Sequence, residues 1–209
     1  MNYTELKTNI EDICENSFTA EQLAMFTQQA EQKIYNTVQI PALRKNVTGT
    51  LSNANKYLST PSDFLWSYSL AVIDGSGVYH FLLNKDVNFM REAYPNPTDT
   101  GLPKHYAYFD DDTFIVGPTP DSSYGSELHY GYYPQSIVTA GTTWLGDEFD
   151  SALLNGALIE AIRFMKGEPD IVAMYEKMYL QAITLLKGLG DGKLREDAYR
   201  SGQFRIPVS

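Results

Sequence analysis

Apolar residues recur at helical spacing near both ends of this 209-residue chain and at strand spacing between them. This change of period constrains the fold most, because a helical apolar pattern does not suit a strand, nor a strand pattern a helix. Residues 1–40 are predicted to form two helices. The second begins at Thr19, which forms a capping box with Gln22, and ends before Pro41. The apolar face of the first helix consists of Tyr3, Leu6, Ile10 and Ile13.

Residues 41–146 have a different character. Short runs rich in Val, Thr, Tyr and Phe are separated by clusters of Gly, Pro, Asn and Asp, which is typical of strands and turns. Within this range Asp74–Gly77 is predicted to form a turn, and Lys85–Tyr94 a short helix. The predicted strands are Leu43–Leu51, Phe64–Ile73, Val78–Leu83, His105–Phe109, Phe114–Val116 and Glu127–Tyr132.

Helical spacing returns after Trp144. The first helix there carries two adjacent apolar stripes, which predicts burial on more than one side and a central place in a bundle. Asp147 and Asp150 are its candidate N-caps, and Gly167 ends it. Pro169 suits the first position of a last helix. The glycines expected to close that last helix are Gly188, Gly190 and Gly192.

These patterns predict an α+β protein, in which N- and C-terminal helices form an antiparallel helical bundle with an inserted antiparallel β domain and an extended C-terminal tail. The predicted parts are the N-terminal helices of the bundle in 1–40, a β-rich insertion domain in 41–146, the C-terminal helices of the bundle in 147–190, and an extended docking tail in 191–209.

The formal net charge is −10, yet residues 188–209 carry a net charge of +1. An acidic chain is repelled by phosphate backbones, which argues against nucleic-acid binding by charge attraction. The last residues lack a sustained apolar period and cannot order by themselves, but apolar anchors among arginines are typical of a segment that orders on a partner. A frayed end without a role is the alternative. The residues expected to dock on a neighbour are Leu194, Arg195, Tyr199, Arg200, Phe204, Arg205 and Ile206.

Catalytic patterns are not found in the sequence. The three histidines, His80, His105 and His129, fall in or beside predicted strands, and no nucleophile-elbow motif accompanies them. Cys14 is the only cysteine, so an intramolecular disulfide is excluded and a buried structural thiol is favoured over a nucleophile. We therefore expect no enzymatic activity, no cofactor, no metal and no membrane association.

Three further groups have an alternative functional interpretation. The run Asp110–Asp112 could bind a hard cation, although its position between two predicted strands favours a hairpin tip. Glu160 and Arg163, three residues apart on a helix, could be a catalytic pair, although an ion pair is the commoner role. The closely spaced glycines at 188–192 follow a helix rather than a strand, so helix termination is favoured over phosphate binding.

Tyrosine is abundant, and ten of the 15 tyrosines lie between Tyr57 and Tyr133. The simpler interpretation is a β-rich module, because tyrosine suits half-buried pleated surfaces. The alternative is an interaction surface, to which tyrosine contributes contact area and a polar hydroxyl.

Several stretches, taken in order, resemble the head-to-tail adaptor, or connector, proteins of tailed bacteriophages over roughly residues 15–187. The resemblance includes a helix TAEQLAMFTQQAEQKIY, a strand entry LSTPSDFLWSYSL and a middle part LNKDVNFMREAYPNPTDTGLPKHYAYFDDDTFIVGPTPDSSYGSELHYGYYP. It ends with a helix pair WLGDEFDSALLNGALIEAIRFMKGEPDIVAMYEKMY. Residues 191–209 match less closely, so their docking role is inferred from the residues themselves.

The resemblance implies a virion structural protein without catalysis. Such adaptors form a ring of twelve subunits below the portal, extend the DNA channel and provide a platform for a tail or nozzle protein. Their helical part and C-terminal extension meet the portal, and their β part faces the tail. DNA would pass through the channel without sequence-specific binding, since an acidic ring does not retain it. The expected location is the head-tail interface of the virion, after assembly in the host cytoplasm.

Two other functions are compatible with parts of the sequence. A carbohydrate-binding module of a phage tail or surface protein would use the tyrosines as stacking platforms, but the well-patterned helices argue against it. A small hydrolase would use a histidine and the aspartate run. The ring number, the host, the tail type and a channel-lining role of Asp110–Asp112 do not follow from the residues.

Overall fold

A computed structural model describes residues 1–96 and 98–201, with side chains described up to Gly190. The chain divides into two compact units, one of Met1–Leu43 with the segment that begins at Pro134, and one of Arg44–Tyr133. The helices of the described residues are α1 Tyr3–Cys14, α2 Ala20–Thr37, α3 Val87–Ala93, α4 Ile137–Ala140, α5 Trp144–Glu148, α6 Asp150–Phe164 and α7 Pro169–Ser201. The strands are β1 Arg44–Leu51, β2 Tyr57–Ser59, β3 Phe64–Ile73, β4 Tyr79–Phe81, β5 Leu83–Asn84, β6 His105–Tyr108, β7 Thr113–Gly117 and β8 Tyr124–Tyr132.

Side chains close the first turns of α1 and α2. The Thr19 side chain accepts a hydrogen bond from the Gln22 N–H, and the Gln22 side chain accepts one from the Thr19 N–H, so the predicted capping box is confirmed. Asn2 and Glu5 form a second capping box at α1. Each box satisfies backbone donors that the first turn of a helix leaves without a partner.

Helix α6 is the central helix of the bundle, as its two apolar stripes predict. It packs against α1, α2, α5 and α7. Close packing depends on Gly156, because a Cβ atom there would lie 3.0 Å from the Cβ of Ala30 in α2 and 3.3 Å from the ring of Tyr179 in α7. The apolar α6 residues that are at most 1% exposed are Ala152, Leu153, Ala157, Leu158 and Ala161.

The β unit consists of two four-stranded sheets. The first has the order β1-β8-β3-β4 and is antiparallel throughout, and the second has the order β2-β7-β6-β5. The short pairing of β5 with β6 is parallel. The second sheet is therefore mixed, whereas the sequence predicted an antiparallel β domain. Both sheets contribute to one core, whose buried members include Leu51, Leu70, Val72, Tyr106, Phe114, Val116 and Leu128.

The α+β class is confirmed, and β3 has the predicted bounds. The predicted strand Val78–Leu83 is divided, because β4 pairs with β3 in the first sheet while β5 pairs with β6 in the second. Strand β2 was not predicted. Nor were α4 and α5, whose residues Ile137 and Leu145 lie within the range 41–146 but are fully buried in the bundle core.

Two predictions about helix ends were wrong. The proposed caps Asp147 and Asp150 do not cap a helix: Thr143 caps α5, and α6 begins after Phe149 without a side-chain cap. Helix α7 also does not end at its glycines but continues to Ser201, so residues 191–201 are helical rather than extended. Gly190 has a packing role instead, because a Cβ atom there would lie 2.6 Å from Cγ2 of Ile40.

Candidate assembly surfaces

An apolar stripe on α7 is left uncovered by the described residues of the chain. Its five members recur at intervals of three, four or seven residues, which places them along one side of the helix. Their side chains are between 39% and 71% exposed, and we call them the α7 stripe: Ile171, Met174, Met178, Leu185 and Leu189.

The side of α7 next to the stripe is buried. Ala182, Ile183 and Leu186 are at most 6% exposed and belong to the bundle core. Helix α7 therefore has one apolar surface that packs inside the unit and a second that does not. Exposed apolar side chains grouped along one side of a helix are typical of a protein–protein contact, and methionine side chains adapt well to such contacts.

The docking residues predicted from the sequence fall into two groups. Leu194, Arg195, Tyr199 and Arg200 lie in the last part of α7, where the backbone is helical. The other three, Phe204, Arg205 and Ile206, lie outside the described residues. Their docking role therefore stays a prediction. The α7 stripe precedes this first group along the same helix. Sequence reasoning did not identify the stripe as an exposed surface.

The histidines occupy three separate environments in the β unit. Nε2 of His80 lies 2.8 Å from Oδ2 of Asp74, and Nδ1 of His105 lies 2.6 Å from the Tyr94 hydroxyl. Partial burial, followed by the charges of two nearby lysines, lowers the pKa of His105. The ring of His129 lies beside Tyr68. None of these contacts places a serine or cysteine nucleophile next to a histidine base.

A cluster of hydroxyl groups in the β unit also lacks such a base. Oγ of Ser67 lies 2.8 Å from the Tyr106 hydroxyl and 2.7 Å from the Tyr108 hydroxyl. The Tyr108 hydroxyl additionally accepts the N–H of Ser67 at 2.8 Å. Burial is the main cause that raises the pKa of Tyr106, which keeps its phenol protonated. The cluster thus joins β3 to β6 and does not activate a nucleophile.

The aspartate run lies at the tip of the β6–β7 hairpin, as predicted. The Phe109 N–H donates to the Thr113 carbonyl at 2.9 Å, and the Asp112 N–H donates to Oδ1 of Asp110 at 3.2 Å. Asp110 therefore stabilises the turn. Among the residues with described side chains, no group of three or more His, Cys, Asp or Glu residues has a geometry that could hold a metal ion.

The predicted turn at Asp74 is also confirmed, and again an aspartate carboxylate accepts backbone N–H groups of the turn. One oxygen of its carboxylate accepts the N–H groups of Ser76 and Val78 at 2.8 and 3.1 Å, and the other faces His80. The hydrogen bond from His80, followed by these backbone donors, lowers the pKa of Asp74.

Glu160 and Arg163 form ion pairs between helices. Glu160 of α6 pairs with Lys33 of α2, and Nη2 of Arg163 lies 2.6 Å from Oε1 of Glu176 in α7. Lys33, Arg163 and Glu176 border a cleft of about 210 Å³ within the bundle unit, where Tyr179 is half-buried. Since each charge in the cleft has a partner of opposite sign, the arrangement is that of ion pairs joining packed helices rather than a catalytic acid and base.

Cys14 is a free thiol at the end of α1, half-buried against the bundle core. Burial raises its pKa, so it is a poor nucleophile at neutral pH. In the part of the chain that the structure describes, no helix combines the length and the hydropathy needed to span a bilayer.

Among the described side chains, the α7 stripe is the feature that fits a contact with another protein. No curated protein matches this sequence. The sequence model of one family, SU10 adaptor protein, matches residues 1–206, which is nearly the whole chain. The resemblance to phage head-to-tail adaptors is therefore confirmed, and the chain belongs to the SU10 adaptor protein family.

Proposed function

We propose that this adaptor is a structural subunit of the virion and not an enzyme. Twelve copies form a ring below the portal, at the head-tail interface, after assembly in the host cytoplasm. The ring extends the DNA channel and provides the platform to which a tail or nozzle protein attaches. Membership of an adaptor family supports this role, and the exposed α7 stripe is the structural observation that carries it.

The stripe supports assembly because its exposure costs solvation free energy in an isolated subunit. Burying apolar surface contributes about 25 cal/mol for each Å² removed from water. Five large side chains on one helix, each at least 39% exposed, can therefore stabilise an intersubunit contact. A ring requires two different patches that meet head to tail, so the stripe of one copy packs on another surface of its neighbour.

The charge of the chain fits a channel that DNA passes without being retained. Each copy carries a formal charge of −10. A ring of such subunits repels the phosphate backbone, so DNA moves through it without sequence-specific binding.

The C-terminal segment is the proposed clamp on the portal or on an adjacent adaptor subunit. Tyr199 and Phe204 act as its anchors, with Leu194 and Ile206 as further apolar contacts, and arginines pair with acidic groups of the partner. Those arginines are Arg195, Arg200 and Arg205.

Truncation tests the clamp. Removing residues 191–209 leaves the bundle intact, because the last core residue of α7 in the described range, Leu186, precedes the deletion. We expect an unchanged thermal transition and a loss of binding to purified portal rings, measured by sedimentation. Binding of the truncated chain at full-length affinity would contradict the clamp. The double variant Tyr199→Ala with Phe204→Ala should reproduce most of the loss, and Ser209→Ala is the matched control.

A further inference from the structure

The first sheet of the β unit ends in two open edges, β1 and β4. Open edges present unpaired backbone groups, and natural proteins usually protect them with charges, prolines or covering elements. Among the described residues, the β4 edge lacks this protection. The segment from Val78 to Asn84 contains no acidic, lysine, arginine or proline residue. Its large apolar side chains are among the most exposed apolar side chains of the described residues: Val78 52%, Tyr79 47%, Phe81 66% and Leu83 61%.

The backbone of β4 is positioned to accept another strand. The Val78 carbonyl accepts the Asp74 N–H, and the Leu82 N–H donates to the Leu70 carbonyl. Hydrogen bonding alternates along a strand, so the residues between them, Tyr79 and Phe81, direct their N–H and C=O groups away from β3. These four groups form the open edge.

The β1 edge is longer and equally uncharged over most of its length. Strand β1 pairs with β8 along all eight of its residues, and its side chains are exposed from Lys45 to Thr50. The two charged residues are at its start, where Lys45 pairs with Asp63 and Arg44 lies over the ring of Tyr68. From Asn46 to Leu51 no charged residue is present.

The direction of the strands matches these two edges to each other. The sheet has four strands and every neighbouring pair is antiparallel, so β1 and β4 run in opposite directions. A second copy added in the same orientation therefore places its β1 antiparallel to the β4 of the first. The contact is head to tail, uses both edges and leaves each copy able to bind another.

The side chains also correspond across such a junction. Cross-strand partners lie on one face of a sheet, and the register connects Phe81 through Ala71 and Glu127 to Thr48. Tyr79 is connected in the same way to Thr50. In a continued sheet the aromatic rings of one copy would pack against the threonines of the next, which is a favourable cross-strand combination.

The matching direction and register of the two edges favour a second copy as the occupant. Chains that carry −10 each repel one another, but the two edges are uncharged where they would meet, so no like charges are brought together there. We propose that β4 of one subunit pairs with β1 of the next, so that the first sheets form a continuous intersubunit sheet around the ring. This inference rests on the proposed ring and specifies one of its contacts.

Disulfide cross-linking of the full-length protein tests the pairing. Because Cys14 is the only cysteine, Cys14→Ser provides a cysteine-free background. In that background Phe81→Cys is combined with Thr48→Cys or with Thr50→Cys, which lie on the same face. The matched control combines Phe81→Cys with Val47→Cys, whose side chain points to the opposite face. Circular dichroism checks that each variant is folded, and mass photometry with and without portal rings reports assembly.

We expect a ladder of cross-linked oligomers on a non-reducing gel for at least one of the threonine variants, and no ladder for the Val47 control. Rings without a ladder in either threonine variant would overturn the edge pairing and leave the ring intact. Dimers formed by Phe81→Cys alone would show β4-to-β4 pairing and also overturn it. The absence of rings both with and without portal would refute the proposed ring, and the pairing with it.

Discussion

The carboxylate of Glu31 caps α4 from inside the bundle, since its Oε1 accepts the Ile137 N–H at 2.9 Å. Glu31 is only 3% exposed and belongs to α2, so this bond joins two segments that are 106 residues apart in sequence. Burial raises the pKa of Glu31 above its ordinary value of 4.5, although the hydrogen bonds from Ile137 and Ser136 oppose the shift. The folded state therefore binds the Glu31 proton more tightly than the unfolded state does.

A pH dependence follows from this difference. The contribution of Glu31 to stability is greatest below about pH 4.5, and it is lost as the pH rises through the folded-state pKa. Glu31→Gln keeps an acceptor for the Ile137 N–H and removes the buried charge. We expect this variant to be more stable than the wild type at pH 7, with a flatter dependence above pH 4.5, in urea unfolding experiments.

Glu31→Ala is the informative companion variant. It leaves the buried Ile137 N–H without its acceptor, which costs about 1–3 kcal/mol. If Gln and Ala variants had the same stability at pH 7, the hydrogen bond to α4 would not contribute as described.

Gly188 and Gly190 of α7 should respond in opposite ways to alanine. A Cβ atom at Gly188 meets nothing within 4 Å, so Gly188→Ala should raise the free energy of unfolding by about 0.5–1 kcal/mol through helix propensity. At Gly190 a Cβ atom would lie 2.6 Å from Ile40, so Gly190→Ala should be destabilising. Thermal unfolding measures both. Equal effects of the two substitutions would contradict the packing of α7 at Ile40.

Substitution in the α7 stripe should separate folding from assembly. Leu185 is 71% exposed, so Leu185→Glu should change the stability of the isolated subunit by no more than about 0.5 kcal/mol. The same variant should assemble poorly, because it introduces a charge into the proposed intersubunit contact. Mass photometry and thermal unfolding report the two properties. Ala182→Glu, at a 6% exposed position, is the control that should impair folding itself. Normal rings from Leu185→Glu would contradict a role of the stripe in assembly.

The hydroxyl of Tyr130 should ionise only at unusually high pH. Its hydroxyl donates to Oδ1 of Asp63 at 2.8 Å, and burial together with this bond raises its pKa to about 12. Because the folded state favours the protonated phenol, this contribution to stability is present below pH 10 and is lost as the pH rises toward 12. Asp63→Asn should lower the pKa of Tyr130, followed by NMR of carbon-labelled tyrosine. Asp112→Asn, at the hairpin tip, should leave that pKa unchanged, and an equal response to both variants would contradict the assignment.

Local signals predicted much of the fold. The capping box at Thr19 and the run Phe64–Ile73, which is rich in aromatic and aliphatic residues, are encoded in neighbouring residues, so both were predictable from the sequence. The continuation of α7 was not, because the role of Gly190 depends on its contact with the distant Ile40. Helices α4 and α5 are four and five residues long, too short for a periodic pattern.

The assembly surfaces were only partly predictable, and for a physical reason. Apolar periodicity indicates that a helix face is buried, but it does not distinguish burial inside a subunit from burial between subunits. In α7, Ala182 is buried while Leu185, only three residues further on, is exposed, although both belong to the helical apolar pattern. The open edge at Phe81 depends on which strands pair, and the sequence alone does not specify the sheet order.

Electron cryo-microscopy of the full-length protein bound to its portal gives both the symmetry and the axial position of the adaptor in one map. We expect a closed ring of twelve adaptor subunits directly below the portal, around an open axial channel, with α7 in an intersubunit contact. Isolated subunits scattered on the portal surface, or a portal without bound adaptor at saturating concentration, would contradict it.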